Sequence, residues 1–161
     1  SAKEFDYIQA LEARYLGAAI ANIPLDAEYK VAMERMAANK EYAQDPNVLT
    51  LYADSVMELM AWGLYDVASR PAIGTVAMID SLERGIKADG KHLGANHYYI
   101  HAVEPSLTPE RARASADLLP SLFPEGGHIL HMPGHIYMRQ GLYPKVVENN
   151  LAAIAAFDIN R

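Results

Sequence analysis

Two histidine pairs recur at a fixed offset. His97 and His101 are four residues apart, and so are His131 and His135, which lie 34 residues further along the chain. Agreement in both spacing and offset marks an internal repeat. A period of 34 residues accommodates one helix–turn–helix unit, which cannot bury its apolar face alone and must stack on its neighbours. The repeat therefore constrains the chain to antiparallel helix pairs, and the expected fold class is all-α.

Composition agrees with that constraint. The 161 residues are 51% apolar and rich in Ala, Leu, Glu and Met, enough for one continuous core and biased toward helix. A net charge of −6, with no basic stripe, argues against a nucleic-acid partner. The absence of cysteine excludes disulfides, thiolate catalysis and sulfur-rich zinc sites. No run of about 18 apolar residues is present, so no membrane partner is expected and the chain reads as soluble, in the cytoplasm or the periplasm. Both ends fall within helical periodicity, and the sequence reads as a fragment of a longer protein.

The pattern predicts about eight helices. Phe5, Ile8, Leu11, Tyr15 and Leu16 form the apolar face of a first helix, closed by Gly17. Asp26 is read as the N-cap of a second helix reaching about Ala43, with Tyr29, Met33 and Met36 on its buried side. Asp45-Pro46-Asn47 breaks the pattern and starts a third, Val48 to Met60, and Trp62-Gly63-Leu64-Tyr65 turns the chain. Arg70-Pro71 and Gly74 make 66–75 an irregular connection or a broken helix. A helix follows from about Val76 to Ala88, and another from His97 to Val103. Thr108 as N-cap, with Pro109 in the first helical position, predicts a helix over 109–122. The stretch from His128 to Arg139 and a final helix, Val146 to Arg161, complete the chain. The methionines Met33, Met36, Met57, Met60 and Met78 are spaced as core filler, and Asn149 and Asn150 as packing amides.

From Pro124 to Asp158 the chain resembles a tetratricopeptide repeat. Pro124 closes the preceding unit, Gly134 stands where the paired helices approach, Tyr137 follows one turn later, Gly141-Leu142-Tyr143 forms the turn and Ala153 is the small contact residue of the second helix. The unit before it keeps Ala112, Ala116 and Pro124, and the one after Pro46 keeps Gly63, Tyr65 and Ala68. The wording around Asn96-His97 and His131-Met132-Pro133-Gly134-His135 is similar to a group of bacterial tetratricopeptide-repeat proteins of unassigned activity. The resemblance implies a right-handed α-α superhelix, with units of roughly 1–46, 47–89, 90–124 and 125–161. It implies a binding scaffold, and so short an array is expected to pair as a homodimer.

In that register the first helix of each pair lines a concave groove. His128, His131 and His135 fall on the groove stripe of the last unit, with Met138 and Arg139 continuing it. His97, His101 and Glu104 form the matching stripe one unit earlier. First helices of adjacent units pack about 8–10 Å apart, close enough for these side chains to converge.

Three readings follow. The groove binds a protein, a peptide or a small acidic ligand, with Arg139 and the histidines as donors. Alternatively His97, His101, His131 and His135 hold Zn²⁺, Cu²⁺ or Ni²⁺, with Glu104 as ligand or second partner. In the third, the histidines and Asn96 are hydrogen-bonded spacers between helices. The chain reads as a binding protein rather than an enzyme; its enzymatic version is metal-assisted hydrolysis with Glu104 as general base. Pro133 bears on all three, because a helix that began only near Met132 would swing His128 and His131 out of the stripe.

Overall fold

A computed structural model describes residues 1–15, 22–61 and 63–159; the side chains of 22–24 and 158–159 lie outside that description. The ends expected for the first helix at Leu16-Gly17 and for the last at Arg161, and the Trp62 position of the turn, fall on residues it does not describe. The described residues form α1 (Ala2–Tyr15), α2 (Asn22–Ala38), α3 (Pro46–Met60), α4 (Thr75–Ala88), α5 (Leu93–Val103), α6 (Arg113–Leu122), α7 (Gly127–His131), α8 (Pro133–Arg139) and α9 (Tyr143–Ile159). A single 3₁₀ turn, Pro109–Ala112, precedes α6. Counting α7 and α8 as one interrupted helix leaves eight. Among the described residues there is no strand, only an isolated bridge between Tyr65 and Pro71. No helix among them is long and apolar enough to cross a membrane.

The helices stack in pairs: α1 on α2, α3 on α4, α5 on α6, and α7–α8 on α9, with α3 also against α2 and α5 against α4. One core runs through the stack. Met33 of α2, Leu49 of α3, Met78 and Leu82 of α4, Ile100 of α5, Leu119 of α6 and Ile136 of α8 are wholly enclosed. Met36 is also buried, and Met57 and Met60 pack on the margin of the core, consistent with methionine as a filler of irregular gaps. A smaller apolar patch of Leu130, Ala153 and Ala156 joins α7 to α9.

Several helix starts follow from local chemistry. Asp45 caps α3: one carboxylate oxygen accepts from the Asn47 and Val48 amides at 2.9 and 3.3 Å, while Pro46 occupies a position needing no donor. Asp45→Ala is expected to destabilise the fold by about 1 kcal/mol, read as a lower midpoint in urea unfolding; an unchanged midpoint would show the cap to be redundant.

Three expectations are corrected. Helix α2 begins at Asn22, so Asp26 lies within it rather than capping it, and its carboxylate instead meets Arg14 at 3.3 Å. Thr108 makes no side-chain cap; its backbone is off the capping conformation, the turn after it winds as 3₁₀, and the Ser106 hydroxyl accepts the Thr108 amide at 3.1 Å. The apolar face of α1 is not buried: Phe5, Ile8, Leu11 and Tyr15 are exposed, and α1 meets the stack through Ala10 instead. Of the two forms expected for the connection after Asp66, the irregular one is found, up to the start of α4 at Thr75. There the Asp66 carboxylate gathers the Ala68 and Arg70 amides at 2.8 and 2.9 Å.

Candidate metal centre

Helix α5 turns its apolar residues inward and its polar stripe outward. Ala95, Tyr99, Ile100, Ala102 and Val103 are buried, which leaves His97, His101 and Glu104 on the face toward α7 and α8. The sixth histidine is used elsewhere: His92 Nδ1 accepts the Ala95 amide at 3.0 Å and so caps α5.

Pro133 does not disrupt the opposing stripe. Helix α7 already begins at Gly127, and Met132, between α7 and α8, keeps right-handed helical angles of φ −53° and ψ −39°. The Met132 amide donates to the His128 carbonyl at 3.1 Å, and the His135 amide to the Met132 carbonyl at 3.2 Å. The proline therefore costs one tightened turn, and His128, His131 and His135 stay on one face. Gly127 makes this early start possible, since a Cβ there would stand 2.7 Å from the Phe157 ring on α9.

Five imidazoles form a closed ring. Going round it, centroids are separated by 5.0 Å (His97–His101), 5.7 Å (His101–His135), 4.9 Å (His135–His131), 6.4 Å (His131–His128) and 4.9 Å (His128–His97). Ligand nitrogens of His97, His101 and His128 lie within 4.8 Å of one another. Nε2 of His97 is 3.0 Å from Nε2 of His128, and Nε2 of His131 is 3.1 Å from Nε2 of His135.

Register explains a difference from the sequence reading. His97 is the repeat equivalent of His131, yet it meets His128, one helical turn earlier. His128 therefore joins the nitrogen cluster, whereas the repeat alone offered only His97, His101, His131 and His135 as ligands. Glu104 lies behind His135, with Oε2 2.9 Å from Nδ1. Met138 is half exposed at the rim, and Arg139 donates to the Ser106 carbonyl at 3.0 Å.

Asn150 belongs to the site as well. Its Oδ1 lies 2.7 Å from His131 Nδ1, and its Nδ2 donates to the Val146 carbonyl at 2.8 Å. A pair of amides in a helix carries no signature of this role; only the packing of α9 on α7–α8 discloses it. Gly134 permits that packing, for a Cβ there would lie 3.3 Å from Asn150 Nδ2. Gly134→Ala is expected to leave stability within about 1 kcal/mol, because the gain in helix propensity offsets the crowding. Displacing Asn150 should still move the His131 ring resonances in a long-range ¹H–¹⁵N spectrum. An unchanged His131 signal would show that Asn150 does not depend on the glycine.

The electrostatics favour neutral rings. Burial lowers the His97 pKa to about 4, with His101, His128 and His135 adding repulsion. His101 is lowered by burial and by His135, against the pull of Glu104, and His128 by burial and its histidine neighbours. The hydrogen bond from His135 holds the Glu104 carboxyl below the usual range, opposed by burial and aided by His101 and Arg139. At neutral pH His97, His101 and His128 thus carry free lone pairs beside an ionised carboxylate.

Two clefts meet at Glu104. One, of about 480 Å³, is walled by Met57, Ala61, Leu64 and Pro105 and touches His101. The other, of about 250 Å³, is bounded by His131, His135, Met138, Arg139 and Asn150. Comparison with protein-family models, with curated proteins and with solved structures gave no match.

Proposed function

We propose that the chain is a helical-repeat scaffold of tetratricopeptide type whose histidine ring holds a first-row transition-metal ion. The observation that carries this reading is the triad of His97, His101 and His128, with nitrogens within 4.8 Å of one another and all three rings biased to the neutral, ligating form. Three imidazoles without sulfur suit Zn²⁺, Cu²⁺ or Ni²⁺. Glu104 and Asn150 stand behind the ring as the outer partners that orient metal-bound histidines in such sites. Of the two functional readings, binding in the groove and binding of a metal, the convergence of rings on one another favours the second. The two clefts support the first as a companion: a small ligand in either would lie against the ring.

The test is elemental analysis of protein purified without a histidine tag, followed by calorimetric titration of the chelator-treated protein with Zn²⁺, Cu²⁺ and Ni²⁺. Retained metal, or at least one equivalent bound in a manner abolished by His97→Ala with His101→Ala, supports the proposal. No retained metal, together with no heat of binding for any of the three ions, overturns it.

A further inference from the structure

Two of the five histidines stand apart from the triad. The three nitrogens that gather within 4.8 Å belong to His97, His101 and His128, and those of His131 and His135 fall outside that group. A zinc-like ion bonds at about 2.0–2.1 Å, so no two of its ligands are more than about 4.2 Å apart. An ion seated on the triad does not also gather His131 and His135.

Each ring of this pair is anchored through its Nδ1. Asn150 has one orientation, because its Nδ2 donates to the Val146 carbonyl; its Oδ1 must therefore accept a proton from His131 Nδ1. Glu104 is an ionised carboxylate and only accepts, so His135 Nδ1 likewise carries the proton of its 2.9 Å contact. With Nδ1 of each ring engaged, Nε2 of one faces Nε2 of the other at 3.1 Å. At that distance the two nitrogens hold between them either a shared proton, as an N–H···N hydrogen bond, or a metal ion. Two bonds of about 2.05 Å meeting at a tetrahedral angle place their nitrogens about 3.3 Å apart, close to what is seen.

We infer that His131 and His135 bind a second divalent transition-metal ion beside the ion of the triad, which makes the ring a two-ion centre. The inference rests on the metal reading above. Asn150 and Glu104 act as positioning residues: each fixes the tautomer of one ligand and aims its Nε2 at the ion. The positions the pair leaves vacant face the cleft bounded by Met138 and Arg139, where water or an anionic oxygen ligand completes the coordination.

Stoichiometry decides it. Untagged, chelator-treated chain is titrated with Co²⁺, followed by its visible absorption, and with Zn²⁺ by calorimetry. Metal content is then measured after gel filtration. Two ions per chain are expected in the unaltered protein. One is expected in the His131→Ala/His135→Ala variant and one in the His97→Ala/His101→Ala variant. Asn150→Ala should weaken only one of the two ions, by 10- to 100-fold. A single ion per chain in the unaltered protein, retained by the His131→Ala/His135→Ala variant, overturns the second site and leaves the triad standing. No ion at all removes both. The count in the unaltered protein needs no variant to fold.

Discussion

Zn²⁺ at about a thousandfold over its dissociation constant is expected to raise the melting temperature by roughly 8–16 °C. The ion binds the folded ring and not the dispersed histidines of the unfolded chain, so one site adds about 4 kcal/mol at that excess. For a chain of 161 residues each kcal/mol is worth roughly 2–4 °C. His97→Ala combined with His101→Ala leaves the triad a single nitrogen, and only a rise due to His131 and His135 should then remain. The same scan with Mg²⁺ serves as a control, because a hard ion that seeks oxygen gains little from imidazole. Equal rises with Zn²⁺ and Mg²⁺ would point to nonspecific screening of the acidic surface and sink the assignment of the ring as the site.

How this ring came to be visible in the sequence is a matter of spacing. The i, i+4 pairs at His97 and His131 placed two imidazoles on one helical face each, and their common offset placed the two faces in adjacent helix pairs. The all-α fold and the break at Asp45-Pro46-Asn47 that starts α3 were legible for the same reason, since both depend on short-range periodicity and local turn chemistry. What was not legible depends on packing between helices. The stagger of α5 against α7 pairs His97 with His128 rather than with its repeat equivalent. Asn150 looks like any helical amide until Gly134 lets α9 close on α8. Thr108 has the right residue type for a cap, but its backbone is off the capping conformation and the chain after it winds as 3₁₀. The α1 face has helical periodicity, yet periodicity does not say what covers it, and Phe5, Ile8 and Tyr15 remain exposed.

Acid should unfold the metal-free protein earlier than its carboxylates alone would dictate. His97, His101 and His128 are kept neutral in the fold, whereas in the unfolded chain each titrates near 6.5. Below that value the unfolded state binds more protons, so stability falls as pH drops, and for His97 the fall continues until about pH 4, where the folded ring is also protonated. Glu104 acts with the same sign but lower, because its depressed pKa gives stability that is lost only below the ordinary carboxylate range. At pH 5 the His97 contribution alone corresponds to at most about 2 kcal/mol, solvent at the open edge of the ring screening part of it. That is a decrease of up to roughly 4–8 °C between pH 7.5 and pH 5, measured by circular dichroism with chelator present. His97→Gln has no such proton to take up and should flatten the upper part of the curve while leaving the carboxylate part below pH 4.5 in place. A melting temperature constant from pH 7.5 to pH 5 would mean that the rings are already solvated and charged on demand. Zn²⁺ should displace the whole transition to lower pH, because protons must then compete with the ion for the same nitrogens.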